Sequence, residues 1–189
     1  MTDGSAPRPA GPASVHQAPV RGVPLLITAE LPRDVFAWAD GLRRAHYPPD
    51  RNRLGAHVTL FHGLPPSAEA DIRRLLGRTA ARSAPEARIS GVMDLGRGTA
   101  LSVESEAMIA VHAELAERLH GLIQQKDARP LRLHITIQNK VSHAEARALQ
   151  ADLACRLRPV RFAFRGLLLS HWRDALWRPA QLYRFRGQA

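Results

Sequence analysis

Two short segments of this chain carry the same pattern. His57-Val58-Thr59-Leu60 and His134-Ile135-Thr136-Ile137 are each a His-x-Thr with apolar residues in the alternate places. Side chains on a β-strand point to opposite faces in turn, so such a segment is a strand with one face in a core and the other outside it. His57 and Thr59 share a face, and Val58 and Leu60 point the other way. The same parity groups Arg132, His134, Thr136, Gln138 and Lys140, opposite Leu131, Leu133, Ile135 and Ile137. With 9 His and six Thr in 189 residues, chance placement gives roughly 0.3 such matches. Two matches, both in apolar strands, point to one structural unit used twice.

The flanking segments repeat as well. Residues 24–30 read as a strand and 32–46 as a helix with Val35, Trp38, Ala39 and Leu42 on one face. The first His strand follows over 54–61. Pro65-Pro66 and Ser67, an N-cap residue, then open a helix carrying Ile72, Leu75 and Leu76. Residues 88–95 and 99–104 alternate as strands around a Gly96-Arg97-Gly98 turn. The second half begins with a helix over 106–123, its stripe made by Met108, Val111, Leu115, Leu119 and Leu122, with His112 and His120 on its surface. After Pro130 comes the second His strand, and Ser142-His143-Ala144-Glu145 fits a capping box that opens a helix to 157. Residues 160–169 and 181–186 read as strands linked by the 172–177 segment. Helix, His-x-Thr strand and helix occur twice. The expected fold is α+β: a single bilobal domain of two pseudo-twofold-related lobes of antiparallel sheet, helices outside, with a central cleft carrying both motifs.

Length and composition suit one such domain. A chain of 189 residues, 45% apolar, buries a sizeable core without disulfides or metal. Cys155 is the single cysteine, which excludes an internal disulfide and makes a reducing cytoplasm the default compartment. It lies off the Leu149, Leu153, Leu157 stripe of its helix and reads as an inert thiol. Residues 1–23 are rich in Pro, Ala and Gly with no continuous apolar run; they read as a disordered arm, leaving residues 24–189 as the domain. No later segment is long enough to span a membrane. The net charge of +10 comes almost wholly from arginine, whose planar fork matches phosphate oxygens. Most of these arginines are scattered singly and simply solvate the surface.

Two imidazoles brought together suit general acid-base chemistry on a phosphodiester near neutral pH, one neutral to accept a proton and one charged to give one. The paired motifs, 77 residues apart, resemble those of the two-histidine phosphoesterase superfamily, and in particular its bacterial 2′-5′ RNA ligase or His-x-Thr-x phosphoesterase members. The similarity extends to Tyr47-Pro48-Pro49-Asp50-Arg51-Asn52 leading into Ala56 to His62, to Leu95-Gly96-Arg97-Gly98, and to Gln138-Asn139-Lys140-Val141 after the second motif. It spans residues 24–185. Two stretches depart from the family pattern. Pro130-Leu131-Arg132-Leu133 stands where Arg-Pro directly before the His is expected, and Trp172 to Trp177 lacks the usual glycine.

The resemblance implies a metal-independent enzyme without a cofactor, hydrolysing or forming bonds at 2′,3′-cyclic phosphates, 2′-5′ linkages or related cyclic nucleotides. His57 and His134 would be catalytic and Thr59 and Thr136 would hold the phosphate oxygens, with RNA ends or small nucleotides as partners. The sequence does not distinguish acid from base, because the motifs are nearly symmetric. Lys140, Gln138, Phe61 and Arg132 share the active faces by parity and are candidate substrate contacts, with surface solvation for Lys140 and Gln138, core packing for Phe61 and a rim ion pair for Arg132 as the plainer readings. Parity turns His62 away from His57, so no metal pair is expected there. Two other readings stay open: a binding module of the same fold without turnover, and a structural protein. Nothing requires more than a monomer.

Overall fold

The computed structural model describes residues 24–123 and 130–187. The N-terminal arm therefore lies outside the described residues. Strands β1 (Leu25–Glu30), β2 (Val58–Leu64), β3 (Glu86–Asp94), β4 (Gly98–Glu104), β5 (His134–Asn139), β6 (Val160–Ala163), β7 (Gly166–Arg173) and β8 (Leu176–Arg184) form one antiparallel sheet in the order β6-β3-β4-β5-β2-β1-β7-β8. Four helices, α1 (Arg33–His46), α2 (Glu69–Thr79), α3 (Glu106–Arg118) and α4 (His143–Arg156), pack against it. The sheet divides at its centre. β5 and β2 are joined by a single registered pair, Val58 with Ile135, whereas neighbouring strands within each half pair over most of their length.

The halves are related as the sequence pattern expects. The run β1-α1-β2-α2 corresponds to β4-α3-β5-α4, and each half is completed by two more strands, β7 and β8 on one side and β3 and β6 on the other. Alternation along the strands buries Val58, Leu60, Ile135 and Ile137, all at most 1% exposed, against Val35, Ile72, Met108 and Leu149 from the helices. The helices thus lie behind the sheet and leave the His-x-Thr face to the cleft.

Several elements differ from the sequence reading for identifiable reasons. On α1 the buried face is Val35, Ala39, Asp40 and Arg43, while Trp38 is 37% exposed, because two polar residues are drawn inward by partners described below. Ser67 falls inside a 3-10 turn over Pro66–Ala68, and α2 starts a turn later with Ala68 as its N-cap. The capping box at Ser142 is present, the hydroxyl accepting from Glu145 N–H and the Glu145 carboxylate accepting from Ser142 N–H. The strand read over 160–169 is two strands, β6 on β3 and β7 on β1, because the chain crosses between halves at Phe164-Arg165. The crossing is pinned by Arg165 N–H on Glu30 O, and by Gly166, where a Cβ would stand 2.3 Å from Tyr183 O. The 172–177 link is a hairpin turning on Asp174 and Ala175, both at positive φ (52 and 58), so non-glycine residues hold a left-handed turn. Cys155 is exposed on α4. No helix among the described residues is long and apolar enough to cross a membrane.

Candidate functional site

The two motifs meet over the central seam in an open cleft of about 730 Å³. His57, Thr59, His134 and Thr136 all line it, as their parity requires. Each imidazole is held in the same way. His57 Nδ1 lies 2.6 Å from Gly55 O and His134 Nδ1 lies 2.7 Å from Arg132 O, in both cases the carbonyl two residues back. A carbonyl only accepts, so Nδ1 carries the hydrogen and Nε2 is the nitrogen left for the cleft. The symmetry of the motifs extends to their tautomers.

Both strands then break their alternation at the same place. Opposite β1, Thr28 pairs with Thr59 and Ile27 with Phe61, which leaves Leu60 as an extra residue; opposite β4, Ala100 pairs with Thr136 and Thr99 with Gln138, which leaves Ile137 extra. A one-residue bulge shifts every later side chain to the other face. Phe61 and Gln138 consequently turn inward, at 0% and 6% exposure. Phe61 is therefore core rather than a surface for a base, stacked on His112 with ring centroids 4.6 Å apart. Gln138 is likewise absent from the cleft, its amide oxygen accepting from Thr99 Oγ1 at 3.4 Å. In their stead His62 and Asn139 line the cleft, five positions after His57 and His134 respectively. Parity alone turns His62 away, and the bulge reverses it.

Arg132 lines the cleft as expected. Lys140 does not; it is exposed at positive φ (59) in an adjoining depression. His112, read from the sequence as a surface residue of α3, is 7% exposed and reaches the cleft floor.

Arg43 is the residue that periodicity could not single out. From α1, in the first half, its guanidinium donates to Thr136 O on β5 (2.5 Å), to Asn52 Oδ1 (2.7 Å) and to Leu54 O (2.9 Å), and it stacks 4.4 Å from the Tyr47 ring centroid. It thereby ties the approach to His57 to the backbone of the other motif. Burial pulls its guanidinium below the usual arginine range. Asp40 supports the same loop, its Oδ1 accepting from Ala56 N–H at 3.0 Å and its Oδ2 from Arg44 at 2.6 Å. The cue was Arg and Asp at buried helical spacing, which matches the exposed pattern of any surface helix until a partner is known.

The field in the cleft has one sign. Arg43, Arg51, Arg53 and Arg132 line it together with four histidines, and no carboxylate does among the described residues. Loss of hydration around the His57 ring pushes it down to about 4, and the neighbouring charges of Arg43, His62 and His134 act in the same direction against the Gly55 hydrogen bond. His57 is therefore neutral at pH 7. On the β7–β8 side, Trp172 and Trp177 stand at the cleft edge, their rings edge to face at 5.2 Å. This is a cationic site with two oriented imidazoles, two hydroxyls and an aromatic edge, suited to an anion attached to a flat ring. Among the described residues no group of three or more His, Cys, Asp or Glu side chains could hold a metal ion.

Comparison with known proteins agrees with this architecture. The profile of the 2′-5′ RNA ligase superfamily matches residues 31–175. No curated protein matches the chain. Among solved structures, TT0787 of Thermus thermophilus is 20% identical, with 88% of this chain and 100% of that one covered at a TM-score of 0.60. Escherichia coli LigT complexed with NADP+ is 17% identical, covering 87% and 99% at 0.59, and LigT complexed with 3′-AMP is 17% identical, covering 88% and 100% at 0.56. At these identities the likeness is one of fold.

Proposed function

Because the chain belongs to the 2′-5′ RNA ligase superfamily, we propose that its cleft hydrolyses 2′,3′-cyclic phosphate ends of RNA or of small nucleotides without a metal, using His57 and His134 as general base and acid. The observation that carries this reading is the matched pair of imidazoles, each with Nδ1–H on the carbonyl two residues back, in a cleft lined by arginine and free of carboxylates among its described residues. In hydrolysis a water oxygen attacks phosphorus, and its proton passes to Nε2 of His57. The P–O bond to one ribose oxygen breaks, and that oxygen takes the proton from Nε2 of His134. The product is a phosphomonoester beside a free hydroxyl. His57 is assigned the base because it is held neutral down to about 4.

Thr59 and Thr136 donate to the non-bridging oxygens, where charge must be held in the transition state. Each imidazole contributes about 10²- to 10⁴-fold. With an RNA 5′-hydroxyl in place of water as the nucleophile, His57 again takes its proton, the P–O bond to the ribose 3′-oxygen breaks, that oxygen takes the proton from His134, and the product is a 2′-5′ linkage. The Trp172–Trp177 edge supplies a stacking surface for the terminal base; the nucleotide complexes of the similarly folded LigT, with NADP+ and with 3′-AMP, lend this support.

The test is hydrolysis in EDTA of 2′,3′-cyclic nucleotides, a cyclic-phosphate-ended RNA and a 2′-5′ dinucleotide, by the wild type and by His57→Ala/His134→Ala. Cleavage by the wild type alone is expected. Equal cleavage by both proteins would remove the mechanism, and binding without turnover by the wild type would make the cleft a nucleotide-binding module.

A further inference from the structure

Beside the cleft lies a second depression, of about 690 Å³, that shares Arg51, Leu95 and Asn139 with it and adds Arg97, Lys140 and His143. It sits where the β3–β4 hairpin tip meets the β5–α4 turn. In the order of the sheet this is the opposite side of the β5–β2 seam from the Trp172–Trp177 hairpin.

The depression is a built feature. The two turns are laced together by Val141 N–H on Arg97 O (3.2 Å) and by Arg97 Nε on Val141 O (3.0 Å), which fixes the guanidinium root. His143 Nδ1 lies 3.1 Å from Gly96 O, so its Nε2 faces outward by the same logic as the catalytic pair. Lys140 holds a left-handed φ of 59, a strained conformation for lysine, with its N–H on Asn139 Oδ1 at 2.7 Å.

Its charge is unbalanced, whereas several arginines elsewhere on the surface are paired. Arg44, Arg73, Arg82, Arg88 and Arg165 each meet a carboxylate within 3.3 Å. Among the described residues Arg97 and Lys140 make no ion pair, and Arg51 reaches Asp50 only at 3.5 Å. The nearby Asp94 carboxylate accepts from Gly96 N–H and the Gln150 amide on Oδ1, at 2.7 and 2.8 Å, and its charge acts on His143 and Arg147; it makes no ion pair with Arg97 or Lys140. Arg97 and Lys140, neither of them paired, leave the depression with an excess of positive charge that an arriving anion can meet.

We propose that this depression binds the phosphodiester next to the reacting phosphate, so that the preferred substrate is the 3′ end of a single-stranded RNA rather than a mononucleotide. This rests on the function proposed above and deepens it. The chain would lie across the seam, its terminal base against the tryptophans, its cyclic phosphate between the imidazoles, and its preceding phosphate on Arg97 and Lys140. A mononucleotide fills the first two places and leaves the third empty.

The experiment compares 2′,3′-cyclic AMP with a tetra-adenylate ending in a 2′,3′-cyclic phosphate, using wild type, Arg97→Gln and Arg97→Glu at two salt concentrations. The same proteins are titrated by fluorescence anisotropy with a labelled tetranucleotide ending in a 3′-phosphate. Expected are a loss of kcat/KM on the tetranucleotide of about 5-fold for Gln and more than about 20-fold for Glu, rates on the mononucleotide within about twofold, and a salt slope shallower by about 0.7. Parallel losses on both substrates, or no loss on the tetranucleotide, overturn the proposal. If the wild type cleaves neither substrate, the proposed reaction fails by itself. Anisotropy then decides the subsite: weaker binding by the Arg97 variants upholds it, and unchanged binding overturns it.

Discussion

The burial of His57 makes a quantitative claim that can be checked without any substrate. In the unfolded chain its imidazole titrates near 6.5, and in the folded protein it is held down to about 4. At pH 8 both states are neutral at this position and the shift has no effect. At pH 5 the unfolded imidazole is protonated while the folded one is not, so the unfolded state binds more protons and stability falls as pH drops through 6.5. Linkage over this interval gives about 2 kcal/mol lost between pH 8 and pH 5, reduced toward about 1 kcal/mol by water in the open cleft. His57→Asn retains an N–H for Gly55 O and cannot titrate. Urea unfolding of both proteins at pH 8 and pH 5 should show the wild type losing about 1–2 kcal/mol more than the variant, since all other titrating groups are common to both. NMR titration of the His57 ring should give a midpoint well below about 6. Equal losses in the two proteins, or a midpoint near the ordinary imidazole value, would refute both the depressed value and the assignment of His57 as the base.

Three further outcomes follow from particular contacts. Arg43→Met leaves Thr136 O, Leu54 O and Asn52 Oδ1 without their donor and should cost about 3 kcal/mol in urea unfolding; a loss under about 1 kcal/mol would show that the guanidinium does not tie the halves together. Trp172→Ala and Trp177→Ala should each raise KM for a cyclic-phosphate substrate about 5- to 100-fold with kcat nearly unchanged, the worth of one stacked base, and an unchanged KM would remove the stacking surface. Ser142→Ala breaks the capping box of α4 and should lower stability by about 1 kcal/mol without altering turnover of a mononucleotide, both read from the same preparation.

The strands bearing the motifs, the apolar faces and the twofold repeat were legible because period-2 and helical patterning are properties of the chain itself. His57, Thr59, His134 and Thr136 needed nothing more. Parity puts Phe61, His62 and Gln138 on the wrong face and leaves Asn139 unnamed because a bulge depends on the partner strand: β1 and β4 decide whether Leu60 and Ile137 are counted, and neither carries a local mark such as glycine. Arg43 and His112 were hidden for a related reason. A polar residue on a helix looks solvent-facing until the fold supplies what it meets, here the carbonyl of Thr136 and the ring of Phe61. The Trp172–Trp177 hairpin resisted reading because Asp174 and Ala175 occupy a turn where glycine is the usual signal.

The order of strands in the sheet also governs when the cleft can be assembled. β1 is an interior strand flanked by β2 and β7, and Leu25 is in register with His171 across almost the whole length of the domain. During synthesis the half that carries His57 therefore remains one strand pair short until β7 and β8 have left the ribosome, while β3 to β6 already contain every partner they need. The motif encoded first is finished last. Chain closure over so long a separation is slow, and until it happens the outer edge of β1 is an open template for another strand. Folding yield should therefore depend more on the β7–β8 hairpin, remote from the reacting groups in sequence, than on either histidine.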